Sequence, residues 1–174
     1  MRAVNRLSSR SRSVLAAIGL LGLGLGLASG CSPSVTEAPG QAAQARATHP
    51  ESGLAVIPVA ITSESGKHTF RAEFAQSRLE QAKGLMFRTA MGPDEAMLVP
   101  LDPPRPASFW MRNTVIPLDI LFIGRDRRVL NIHADAEPYS ERPILSEGDA
   151  SAVLELVGGR AAQLGIAVGD RVEW

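Results

Sequence analysis

Two carboxylates stand where carboxylates are costly. Asp119 follows Pro117-Leu118 and precedes the apolar run ILFI, and Glu155 interrupts the run AVLELV. Burying a charge without a partner is expensive, so each must be paired, hydrogen-bonded or used. In a catalytic reading the two converge as an acid/base pair, as glycoside hydrolysis requires, and Arg88 orients the substrate. In a structural reading Asp119 accepts hydrogen bonds from backbone or from an arginine, Arg88 or Arg112, and locks the start of a strand. For Asp119 the structural reading is favoured.

A second constellation lies just upstream, in FWMRNTVIPLDILFI at residues 109–123. Asn113 and Thr114 divide its two apolar halves. Side chains of these types bond nearby backbone and stabilise turns, which makes a bend the plain reading. The sharper reading makes Asn113 and Thr114 the floor of a ligand cleft and Trp110 its stacking wall, an arrangement suited to sugars. Arg88, Trp110, Asn113, Thr114, Asp119 and Glu155 are therefore the ligand-binding candidates.

Other chemistries find less support. His133, Asp135 and Glu137 would share one face of a continuing strand and resemble a zinc set, but the chain is heading into a Pro-rich loop. Met86, Met97 and Met111 are read as gap-filling core residues rather than copper ligands. No Gly-x-Ser-x-Gly elbow occurs, and Gly158-Gly159 lacks the rest of a phosphate-binding loop, so it is read as a turn. No metal and no cofactor are expected.

The elements that must position these residues are short. The chain has 174 residues, enough for one domain with appendages. Strands are expected at 54–61, with Pro58 favouring a sheet edge, and at 68–75, where Phe70, Ala72 and Phe74 alternate with Arg71 and Glu73. Ser77 and Glu80 form a capping box for a helix of about two turns, stopped by Gly84. Further strands are expected at 97–101, 108–112, 118–123, 129–133 and 152–157. Residues 118–133 form a hairpin through Gly124 to Arg127. DPPRP at 102–106 reads as a rigid loop, and residues 134–150 as a long one. A short helix near 160–164, closed by Gly165, precedes a terminal strand. Strands outnumber helices, so the expected fold is mainly β, a compact sandwich or barrel with two short helices.

The N-terminal part has a different character. Residues 1–31 carry Arg2, Arg6, Arg10 and Arg12 and no acid, then the apolar run 14–28, then Ser29-Gly30-Cys31. A basic stretch, a short apolar run and small residues before the break describe an export signal. At 15 residues the run is short for a spanning helix, which needs about 20. Leu27 to Cys31 resembles a bacterial lipobox, with Ala28 where Leu is commoner. That resemblance implies acylation of Cys31, the only cysteine, and several acyl chains anchor stably. The expected protein is exported and membrane-anchored in the periplasm or cell envelope. With Ser32 after the cysteine, it would be sorted to the outer membrane in a Gram-negative source. Residues 32–52 are small, polar and Pro-containing, and read as a flexible tether in which His49 is solvated. The globular domain is expected over 53–174.

Charge excludes one partner class. The whole chain has 18 basic and 18 acidic residues. Without residues 1–31 it has 14 basic and 18 acidic, a net charge of −4, a poor match for phosphate backbones, so no nucleic acid is expected.

Three blocks, GLMFR at 84–88, FWMRNTVIPLDILFI at 109–123 and VLELVGGRAAQLGIAVGDRV at 153–172, resemble the family known as domain of unknown function 192. The match spans roughly residues 67–174. It implies a compact, mainly β domain, often behind a secretion or lipoprotein signal, and brings no activity. One departure is Leu98-Val99-Pro100, where the family more often carries an aromatic. The function expected is thus a lipid-anchored, non-enzymatic domain that binds a small ligand or a protein partner. The alternatives are a hydrolase using Asp119 and Glu155, or a purely structural envelope protein.

Overall fold

A computed structural model describes residues 47–174. The export signal, the lipobox and most of the tether lie outside the described residues. Seven strands form one sheet: β1 (Val56–Ser63), β2 (Gly66–Phe74), β3 (Glu95–Phe109), β4 (Leu118–Gly124), β5 (Val129–Ala136), β6 (Ile144–Val157) and β7 (Arg171–Glu173). Two short helices, α1 (Arg78–Lys83) and α2 (Arg160–Gln163), connect them. The strand order is β5-β4-β6-β3-β2-β1-β7. All neighbours are antiparallel except β2 and β3. The sheet curls until its edges meet at one end, where Val172 N donates to Arg127 O at 2.8 Å and Val129 N to Asp170 O at 3.0 Å. The barrel-like form of the expected fold is therefore the observed one, closed only there.

Each face of the curled sheet carries its own core. Inside, Ile61, Phe70, Leu98, Leu121, Leu154 and their neighbours pack together with Ala161 of α2. Outside, Met97, Val99, Ile120, Phe122 and Val153 cluster with Leu85 and Met111 from the connections and with Ile144 at the start of β6. This double cover explains why β4 is buried at all seven positions and reads as an unbroken apolar run. The capping box is formed: Ser77 Oγ accepts from Glu80 N at 3.2 Å and Glu80 Oε2 from Ser77 N at 2.7 Å.

Three expectations need correction. DPPRP is no loop: β3 runs through Pro100, Pro103, Pro104 and Pro106. It can do so because β2 pairs with β3 only from Glu95 to Leu98, and the ladder to β6 skips from Pro100 to Arg105 and from Pro106 to Ser108. Pro103 and Pro104 therefore fall in a gap of the ladder, and Pro100 and Pro106 stand at its edges, with no β2 partner on the other side. The long loop shrinks to residues 137–143, because β6 begins at Ile144 opposite Phe109. Finally, residues 47–52 belong to the domain rather than to a tether. Val56 N donates to Ala47 O at 2.7 Å, Glu51 pairs with Arg88 at 3.1 Å, and His49 Nδ1 lies 3.7 Å from Glu73 Oε2.

Candidate functional site

Strand register decides what the two carboxylates can do together. Directly paired residues share a face of a sheet. Glu155 pairs with Met97 on one side and Ile120 on the other, which places it on the outer face. Asp119 pairs with Leu156, a residue of the inner core. The sheet itself separates them, so the acid/base pair of the hydrolase reading does not form.

Asp119 is fully buried and spent on backbone. Its Oδ1 accepts from Asp135 N at 2.8 Å and Gly159 N at 3.0 Å, and its Oδ2 from Ala161 N at 2.7 Å. It fastens β5 and the start of α2 to β4, which is the backbone version of the structural reading. The two glycines before α2 have separate reasons. A Cβ at Gly158 would sit 2.6 Å from Asp135 Oδ1 and 2.9 Å from Pro117 Cβ, whereas Gly159 has φ +80°.

Neither arginine proposed as its partner reaches Asp119. Arg88, itself buried, holds Glu73 bidentately at 2.9 and 3.1 Å, with Glu51 on its Nε. Arg88 is thus the counter-ion of a buried Glu73, and it lies outside the lining of the cleft described below. Arg112 holds Glu141 at 3.1 and 2.8 Å and lies 4.0 Å from the Trp110 ring centre. Alternation correctly placed Glu73 on the outer face, but alternation says nothing about what covers that face.

Asn113 takes the plain reading. Its φ of +56° suits Asn better than most residues, and Thr114 N closes the turn on Met111 O at 3.0 Å. The turn also holds the 84–88 segment, because Phe87 N donates to Asn113 O at 2.8 Å. Asn113 lines no part of the cleft described next, whereas Thr114 does.

That cleft, of about 370 Å³, lies on the outer face between β3, β6, α1 and the turn. Exposure sorts its lining into floor and rim. Leu85, Val99, Leu101, Thr114 and Glu155 are buried; Lys83, Arg105, Ser108, Trp110 and Arg112 are exposed. Trp110 is 46% exposed because the chain leaves β3 at Phe109 and turns. Glu155 is the group that stands out. Only 6% of it is exposed, and its Oε2 has no hydrogen-bond partner among the described residues. Burial, followed by the negative charge of Glu73, pushes its carboxyl up to about 7. Lys83 and Arg105 were missed in the sequence. They are surface cations in α1 and in the supposed DPPRP loop, and no local pattern links them to Glu155.

The model of the DUF192 family, described as "Uncharacterized ACR", matches residues 59–174. A protein of unknown function from Novosphingobium aromaticivorans DSM 12444 has a similar structure. It is 58% identical, with a TM-score of 0.73, over 76% of this chain and 94% of that one. A protein of Sinorhizobium meliloti 1021, whose name assigns it provisionally to transcription regulation, is 40% identical. Its TM-score is 0.67, over 69% of this chain and 94% of that one. Comparison with curated proteins returns no match.

Proposed function

We propose, for a chain that belongs to the DUF192 family and inherits no activity from it, that the domain binds a small ligand in the cleft between Trp110 and Glu155. The observation that supports this reading is the buried carboxyl oxygen of Glu155, unpartnered at the bottom of a concavity. Buried polar groups are hydrogen-bonded with few exceptions, and an exception on a residue that lines a cleft is an invitation to a ligand atom. Binding is preferred to hydrolysis because Asp119 lies across the sheet and Glu155 has no second carboxylate in the cleft lining. The N-terminal segment makes this a cell-envelope domain tethered through an acylated Cys31, a reading that rests on the lipobox resemblance. The name of the Sinorhizobium relative would suggest a nucleic-acid partner. A net charge of −4 beyond residue 31 argues against it.

The test is a thermal-shift screen of the full-length chain in detergent micelles against sugars, glycan fragments, nucleotides and metal salts. A ligand that binds the native state at 100 times its Kd adds about 2.7 kcal/mol. The expected result is a hit whose shift disappears in Trp110→Ala, an exposed position whose loss leaves the fold intact. A screen with no such hit would replace ligand binding with a purely structural or protein-partner role.

A further inference from the structure

The lining of the cleft also restricts the class of ligand, if the binding reading above holds. Its rim is cationic. Lys83 on α1 and Arg105 on β3 form no ion pair with any described residue, and Arg112 shares its charge with Glu141. The cleft's only acid is Glu155, on the floor. A cationic ligand would have to pass three positive side chains to reach one buried carboxyl, whereas an anion is attracted at the mouth. Trp110 adds an aromatic wall: Arg112 lies 4.0 Å from its ring centre, and the residue is 46% exposed and lines the cleft. Ser108 and Thr114 add hydroxyls to the lining. An aromatic wall beside hydroxyl and carboxyl groups suits a ring with one apolar face and several hydroxyls.

We propose that the cleft takes an anionic sugar, a small hydroxylated ring bearing one carboxylate or phosphate. Its anionic group meets Lys83 and Arg105, its ring lies against Trp110, and a hydroxyl or ring oxygen meets the Glu155 carboxyl on the floor.

This arrangement couples binding to a proton. The charged groups around Glu155 are Glu73 on β2, whose charge Arg88 offsets, Lys83 on α1, Arg105 on β3 and Arg112 in the turn; β4 presents Ile120. An anion in the cleft and Glu73 beside it both favour the neutral form of Glu155, and only that form donates to a sugar oxygen. With the carboxyl near 7, a ligand requiring the protonated form binds about tenfold tighter at pH 6 than at pH 8.

Titration calorimetry on the full-length chain in detergent tests this with galacturonate, galactose 1-phosphate and galactose, at pH 6 and pH 8. The expected result is that at least one of the two anionic sugars binds at least tenfold tighter than galactose. That advantage should be lost in the Lys83→Gln/Arg105→Gln double variant, whose exposed positions leave the fold intact. The tenfold pH effect should vanish in Glu155→Gln. Galactose binding as well as the acids, or a double variant that keeps the preference, would overturn the proposal. The two readings fail separately. A neutral or cationic ligand from the wider screen, lost in Trp110→Ala, would leave the binding site standing and remove the anionic-sugar class. A chain that binds nothing in either experiment would remove both.

Discussion

Replacing Glu155 by Gln should remove a pH dependence of stability that the wild type carries. In the folded state burial and Glu73 raise this carboxyl from its ordinary value of 4.5 to about 7. Between those two values the unfolded chain has released the proton and the folded chain still holds it. Unfolding therefore releases a proton, and stability falls as pH rises through this window. The stabilising difference is fully present below pH 4.5 and is gone once pH has passed 7. At roughly 1.4 kcal/mol per pH unit, the whole difference is about 3 kcal/mol. Gln has nearly the same shape and no charge to desolvate. Whatever its amide costs in that site is the same at every pH, so the informative quantity is the change in the wild-type-to-variant difference between pH 5 and pH 8.5. Urea unfolding of residues 47–174, whose two cores both lie within the segment, measures it. At about 1 to 3 kcal/mol per molar urea, the midpoint difference should move by roughly 1 to 2 M across that range, in favour of the variant at high pH. A difference that stays constant with pH would show that Glu155 titrates normally, and the buried, unpartnered floor of the cleft would fall with it.

The remaining predictions concern the other buried charges and the N-terminus. Arg88→Met leaves Glu73 buried without its counter-ion and should cost about 3 to 5 kcal/mol in urea unfolding, and adding Glu73→Gln should restore most of it; additive losses would refute the pairing. Asp119→Asn keeps one acceptor oxygen for three N–H donors and turns an N–H₂ towards them, a loss of about 2 to 4 kcal/mol. A loss below about 1 kcal/mol would show that the three contacts carry little. Cys31→Ser should abolish palmitate labelling and release the chain from the membrane fraction, and continued labelling would defeat the lipoprotein reading.

Where a pattern acts over a few residues, the sequence was a reliable guide. The Ser77/Glu80 box, the alternation of Phe70, Ala72 and Phe74, the turn at Gly124 and the terminal strand all depend on neighbours within one or two turns of chain. The failures share a different cause. DPPRP was read as a breaker because proline is excluded from a fully paired strand, but β3 beyond Leu98 has only one strand partner and skips part of that ladder. The 134–150 stretch looked irregular because SEGDAS, residues 146–151, has no periodicity. It is strand because β3 lies beside it to be paired with. Residues 47–52 looked like linker because their contacts are with Arg88 and Glu73, far along the chain.

From the sequence alone came the mainly β class, the two short helices, the family resemblance and the two carboxylates in apolar runs as the groups needing explanation. The tertiary structure decided what each carboxylate is for. Their separation depends on the register of β4 against β6, which sends Asp119 inward to three backbone donors and Glu155 outward to an open cleft. Register is a property of two strands together. A slip of one residue would put Asp119 and Glu155 on the same face without changing a letter of either strand. The same holds for the rim. Lys83, Arg105 and Trp110 share a cleft with Glu155 only because β3 and β6 pair along their length and α1 is laid across the outer face.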